Sequence, residues 1–322
     1  MQSVVYQEFP PARRFGIELE VSNNLTKTEL GHIMTEFEDL YGKKTVKVTS
    51  GIEGWAQTNR NTYWHVKFDR TCGPKGKGVD YGWEIASYIG TGLPDINHIA
   101  RAARFLGNRG AVTNRNCGLH VHVETTDFNN YLMGTLMARW IKLEPILIAI
   151  CHPSRDENQY CRTLRSRRDM FGIKYHPLYP DKFWSAMKPT DISPHNNYDK
   201  RYTLNTIGYA AACITPSHSR NTAELRLPEC MLEESHVRNW AKLIINFVDV
   251  TQKCLVAPDT LSSVKTVEEA LIYLGLHSDK DFLVLDLDLL NLKVWFLKKL
   301  AYSYRSSWDR EAQKHLEFIS QI

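Results

Sequence analysis

The chain has 322 residues, 43% of them hydrophobic, and its 40 Lys and Arg stand against 36 Asp and Glu for a formal net charge of +4. That length and apolar fraction support a proper core in one large domain or two small ones. Cations so closely matched by acids argue against a nucleic-acid binder, in which basic residues dominate and cluster.

The densest basic stretch, Arg162 to Arg168, is short and is followed at once by Asp169, which suits a solvated face or a site for anionic phosphates. Met1 to Pro10 has neither a basic start nor an apolar core, so no secretory leader is expected. The longest apolar run, Pro145 to Cys151, is too short to cross a bilayer. Seven cysteines, odd in number and scattered, suit free thiols in a reducing compartment, and the expectation is a cytoplasmic enzyme without a membrane partner.

Arg14 to Val21 reads as a buried strand, apolar at Phe15, Ile17, Leu19 and Val21. A helix follows, with Leu30, Ile33, Met34, Phe37 and Leu40 at helical spacing. Two β-rich stretches come next, Thr45 to Thr49 and Tyr63 to Asp69. A Gly/Lys loop, Gly73 to Gly82, runs into a strand over Trp83 to Ser87, and Pro94 opens a helix with Ile96, Ile99, Ala103 and Leu106 on one side. Cys117 to Glu124 is another strand, and Asp127 to Ile150 is helical with a bend or break expected at Pro145. Pro153 to Pro194 reads as loop-rich and as the lid or specificity region. Strands return at Tyr202 to Tyr209 and Thr222 to Leu227, and from Glu233 the pattern is helical, with a capping box at Thr266 and Glu269. The order predicts an α+β fold with a helical C-terminal portion.

Chemistry sits on four of these strands. Side chains two apart on a strand share a face, so Glu18 pairs with Glu20, His120 with His122, and Glu224 with Arg226, while Glu84 stands singly between Trp83 and Ile85. Each alone also reads as ordinary structure: acids on a half-exposed strand, satisfied core histidines, or an ion pair with a neighbouring strand. Together, on one sheet, they make a floor of acids whose mutual repulsion a divalent cation relieves. Such a floor suits phosphoryl transfer, where metal ions and Arg neutralise the moving group.

The segments Phe15-Gly16-Ile17-Glu18-Leu19-Glu20, Trp83-Glu84-Ile85-Ala86-Ser87, Cys117-Gly118-Leu119-His120-Val121-His122-Val123, Arg201-Tyr202 with Asn205, and Thr222-Ala223-Glu224-Leu225-Arg226-Leu227 together resemble the amidoligase family. That family is a branch of the carboxylate-amine ligases related to glutamine synthetase and glutamate-cysteine ligase. The resemblance covers Phe15 to Trp240. It implies a glutamine-synthetase-like twisted antiparallel sheet that cradles ATP and two or three Mg²⁺ or Mn²⁺ ions. By similarity, Glu18, His120 and Glu224 would hold the ion at the ATP phosphates, and Glu20 and Glu84 an ion nearer the acceptor carboxylate. His122 and Arg226 would contact the γ-phosphate or acyl-phosphate. Arg155, Arg201 and Asn205 would bind substrate carboxylate or phosphate, and Asp69 would bind or deprotonate the incoming amine. One departure is plain: glutamine synthetase has a further metal-ligating glutamate after the position of Glu84, and Ser87 to Pro94 contains no acid.

The resulting expectation is an ATP-dependent ligase that forms an amide or isopeptide bond between a small-molecule or peptide carboxylate and an amine, through an acyl-phosphate. Residues 1–255 would be the catalytic domain. Residues 256–322 would form a helical extension packed on it, or an interface between copies. The competing readings are a single-metal oxygenase or hydrolase built on the His pair, and a non-catalytic binding protein on a ligase scaffold. Cys117 is read as a small packing thiol rather than a nucleophile, the Gly/Lys loop as a solvated connection, and Cys151-His152 with Cys161 as packing rather than zinc ligands.

Overall fold

The computed structural model describes residues 13–42, 44–48, 62–69, 71–72, 82–156, 158–189, 201–214, 221–254, 256–277, 287–303 and 307–320. The Gly/Lys loop at 73–81 and the end of the expected lid at 190–194 lie outside them. The described strands are β1 (Arg14–Val21), β2 (Thr45–Val48), β3 (Tyr63–Asp69), β4 (Gly82–Ala86), β5 (Gly90–Thr91), β6 (Leu119–Glu124), β7 (Leu204–Asn205) and β8 (Thr222–Leu225). They form one open sheet in the order β2-β3-β4-β1-β6-β8-β7, with the short β5 paired to the start of β1. Every pairing is antiparallel except β2 with β3. This is an α+β fold.

Alternation within the strands splits the sheet into two chemically different faces. Ile17, Leu19, Val21, Val66, Ile85, Leu119, Val121, Val123, Ala223 and Leu225 are all buried on one side. Helices α1 (Lys27–Tyr41), α2 (Gly92–Asn108), α3 (Asn130–Ala149) and α7 (Glu234–Lys253) contribute Leu30, Phe37, Ile99, Leu136, Trp140 and Ile244 to the same core. Each such aliphatic or aromatic side chain removed from water contributes about 1.5–3 kcal/mol. Glu38 of α1 ties this layer together: it accepts from Trp64 Nε1 at 2.5 Å and lies 2.8 Å from His98 Nε2 of α2.

The helix ends show which local signals carried. Thr26 and Glu29 form a reciprocal capping box on α1, a pair the sequence reading passed over. At α8 (Val267–Leu274), Thr266 Oγ1 accepts from Glu269 N, but the Glu269 carboxylate accepts from Lys265 N instead of the cap residue, so that box is half formed. The helix expected to open at Pro94 begins at Gly92. Between α3 and α7 lie α4 (Leu164–Met170), α5 (Pro180–Met187) and α6 (Ile207–Ile214), so the stretch expected to be loop-rich contains two helices. The strand expected over Tyr202 to Tyr209 shrinks to Leu204–Asn205, because α6 starts at Ile207. Helices α9 (Leu287–Ala301) and α10 (Asp309–Ser320) close the chain. Trp295 of α9 packs on Trp240 of α7 with ring centroids 5.6 Å apart, and Lys242 of α7 pairs with Asp288 at 2.6 Å. No helix among the described residues is long and apolar enough to cross a membrane.

Pro145 lies inside α3 without ending it. A proline removes the N–H that would bond the carbonyl four residues earlier, here Ile141. Arg165 Nη2 donates to Ile141 O at 3.1 Å and satisfies it. The neighbouring Glu144 carboxylate in turn accepts from the first amides of α4, Leu164 N at 2.5 Å and Arg165 N at 3.0 Å, and from Thr203 Oγ1.

Burial pushes the Glu144 carboxyl from 4.5 up to about 7, against those hydrogen bonds. A raised folded-state pKa means the folded chain holds the proton more tightly. The stabilisation is therefore complete below about pH 4.5 and is lost as pH rises through about 7. The loss from this group is on the order of 3 kcal/mol. Thermal melts of wild type and Glu144→Gln from pH 4.5 to 8 should show the wild type's advantage shrinking with pH; a constant difference would contradict this.

Candidate functional site

Strand register places the chemically active residues on the face opposite the core. Cross-strand partners share a face. One row runs Lys67, Glu84, Glu20; the next Ala86, Glu18, His120; the third Gly16, His122, Glu224, Asn205. Glu18, Glu20, Glu84, His120 and Glu224 are each less than 10% exposed. Several carboxylates are thus held close together away from water, at an ordinary cost of several kcal/mol per unpaired ion.

His120 sits at the centre of them. Its Nδ1 lies 3.3 Å from Glu18 Oε2 and 3.5 Å from Glu224 Oε1, and its Nε2 lies 3.4 Å from Glu20 Oε1. Burial and the adjacent Arg226 push His120 down to about 4, so the imidazole stays neutral and keeps a lone pair. Gly118 allows this packing, because a Cβ there would lie 2.7 Å from His120 Nε2. His122 Nε2 lies 3.3 Å from Glu18 Oε1 and 3.9 Å from Glu224 Oε1. Burial alone would raise Glu224, yet Arg226 and His122 hold it at about 2. Burial likewise opposes ionisation of Glu18, which Lys67 and His122 hold well below the usual carboxylate range.

Arg226 follows β8, and its Nη1 donates to Glu224 Oε1. Burial opposes its charge, and the carboxylates of Glu224, Glu20 and Glu18 raise its pKa. Asn205 Nδ2 donates to Glu224 Oε2 at 2.7 Å. Arg155 is buried, with Nε on Leu227 O at 2.9 Å and Nη2 on Arg226 O at 2.7 Å. Its guanidinium therefore grips the backbone that carries Arg226. Arg201 stands further out, its guanidinium 5.2 Å from the Tyr160 ring centre.

Glu20 and Glu84 face each other in the register and have different partners. Glu20 Oε2 accepts from Gly118 N at 2.5 Å, and Glu20, Asp69 and Cys72 bring ligand atoms within 4.8 Å of one another. Burial and Asp69 push Glu20 well above the usual range. Glu84 Oε1 is 2.5 Å from Lys67 Nζ, and burial and Glu18 raise its carboxyl to about 8. Asp69 accepts from Thr71 N and Thr71 Oγ1, each at 2.6 Å.

The sequence reading missed Lys67 and Cys72. Lys67 was legible, since it stands two before Asp69 on the same strand face; Cys72 lies outside the strands and helices and has no periodic signal. Cys151, His152 and Cys161 are not a metal cluster among the described residues. Cys161 Sγ lies 3.2 Å from Arg226 O, and His152 Nδ1 2.9 Å from Ser154 Oγ.

A family model described as "Putative amidoligase enzyme" matches residues 11–248. The chain belongs to the amidoligase family. Every site residue named above lies within the match, whereas α8 to α10 lie beyond it. No curated protein matches the chain.

This cluster suits a divalent cation on its own chemistry. Ligand atoms of Glu18, His122 and Glu224 lie within 4.8 Å of one another. Lys67 favours the ionised form of Glu18 and Arg226 that of Glu224, and His122 Nε2 is buried 3.3 Å from Glu18 Oε1 and 3.9 Å from Glu224 Oε1. Two hard oxygen donors and one imidazole suit Mg²⁺ or Mn²⁺. Mn²⁺ at about 100 times its dissociation constant should stabilise the fold by about 2.7 kcal/mol. In thermal shift measurements that gain should vanish in Glu18→Ala and Glu224→Ala. An equal shift in wild type and both variants would place the ion elsewhere.

Proposed function

We propose that this amidoligase is an ATP-dependent carboxylate-amine ligase, with a sheet of the glutamine synthetase type as its floor and the cytoplasm as its setting. The observation that carries the reading is the convergence of Glu18, His122 and Glu224 with Arg226 on one buried sheet face. All seven cysteines are free, as suits a reducing compartment.

ATP would give its γ-phosphoryl group to a substrate carboxylate, forming a C–O–P linkage and releasing ADP. The amine would then attack the acyl carbon, form the C–N bond and expel phosphate with the C–O bonding pair. A divalent ion held by Glu18, His122 or His120, and Glu224 would supply charge neutralisation at the phosphate oxygens. Arg226, fixed by Glu224 and by the Arg155 grip on its carbonyl, offers a guanidinium whose planar fork suits phosphoryl oxygens. Asp69 accepts from Thr71 at the end of β3, where it can take a proton from an incoming ammonium. Among the described residues a Cβ on Gly16, the cross-strand partner of His122, would meet nothing within 4 Å.

A single-metal oxygenase or hydrolase built on the His pair leaves Glu20, Glu84 and Arg226 without a task, so the ligase reading is preferred. The test is release of ADP and phosphate with Mg²⁺ or Mn²⁺ over a panel of carboxylates, with hydroxylamine as the amine. Carboxylate-dependent hydroxamate is expected, falling about 10²-fold or more in Arg226→Ala and lost in Glu18→Ala and Glu224→Ala. Absence of both hydroxamate and any nucleotide-dependent thermal shift would end the ligase reading.

A further inference from the structure

We propose that Lys67 is a built-in counter-ion that fills the second cation position of this centre, between Glu84 and Glu18, and so takes the place of one divalent ion. The inference rests on reading this sheet face as a cation centre, and it deepens that reading by setting the ion count and the group that meets the acceptor carboxylate.

Three observations carry it. Lys67 of β3 is the direct cross-strand partner of Glu84 of β4, so the lysine stem rises from the sheet on the acidic face. Its Nζ is 2.5 Å from Glu84 Oε1 and 3.8 Å from Glu18 Oε1. An ammonium is a compact point charge with three donors, and here it lies where an ion bridging these two carboxylates would lie. Finally, the two glutamates that the family resemblance assigns to a shared ion have different partners. Glu84 pairs with Lys67, while Glu20 accepts from Gly118 N and groups with Asp69 and Cys72. A tethered lysine fits that difference, because it pairs with Glu84 without the other carboxylate.

The consequence for chemistry follows from Glu18, which is shared. One of its oxygens faces both Lys67 and His122, within the group formed with His122 and Glu224. A substrate carboxylate entering between them meets one divalent ion on one side and the Lys67 ammonium on the other. Lys67 is then a positioning group for the acceptor acid, permanently present and independent of metal supply.

The test counts ions. The full chain, its Lys67→Met variant and its Lys67→Arg variant are titrated with Mn²⁺, and free Mn²⁺ is followed by electron paramagnetic resonance. Lys67→Met is expected to bind one more Mn²⁺ per chain than wild type, with a melting temperature that drops without metal and recovers with it. Lys67→Arg should keep the wild-type count. Lys67→Gln, which retains a donor toward Glu84, supplies the same comparison if Lys67→Met does not fold. Equal counts in wild type and the neutral variant overturn the proposal. If wild type binds no Mn²⁺ and the neutral variant binds one, the role of Lys67 stands and the proposed ligase centre falls. If neither binds any, both fall.

Discussion

The structure turns on one electrostatic constraint: four glutamates stand close together on a single, largely buried face of a sheet. An unpaired buried carboxylate costs several kcal/mol, more than one well-buried leucine returns. The fold meets that cost in two ways. Arg226 and Asn205 Nδ2 bind Glu224, and Lys67 and His122 hold Glu18 below the usual carboxylate range, whereas burial raises the carboxyls of Glu20 and Glu84, whose partners are Gly118 N and Lys67. His122 Nε2 lies 3.3 Å from Glu18 Oε1 and 3.9 Å from Glu224 Oε1, and the ligand atoms of these three residues converge where a cation fits.

The apolar face makes this arrangement affordable. Alternation puts Ile17, Leu19 and Val21 into the core by the same period that puts Glu18 and Glu20 above it. A one-residue slip of β1 would exchange the two sets, so the chemistry of the site also fixes the register of the sheet. The second layer acts through backbone. Arg155 reaches the carbonyls of residues 226 and 227 and fixes the end of β8, and Glu144 caps α4 while Arg165 repairs the carbonyl that Pro145 orphans.

Much of this was legible in the sequence, for physical reasons that differ by residue. The pairs Glu18 and Glu20, His120 and His122, and Glu224 and Arg226 could be read because the strand period of two is strict, and the sheet does bring them onto one face. Which strands are neighbours was not readable from periodicity, so neither was the partner of each acid. Glu84 turning to Lys67, and Glu20 to Asp69 and Cys72, depend on cross-strand register. The short helices α4 and α5 escaped because stretches of seven and eight residues give weak periodicity. At Pro145 the break is absent because Arg165, distant in sequence, replaces the lost hydrogen bond that propensity counts.

The most direct measurement is anomalous scattering from crystals soaked in Mn²⁺. The account predicts a peak within coordination distance of carboxylate oxygens of Glu18 and Glu224 and of an imidazole nitrogen of the His pair. A metal-saturated crystal with no peak at that position, and with His122 Nε2 instead hydrogen-bonded to Glu18, would contradict it.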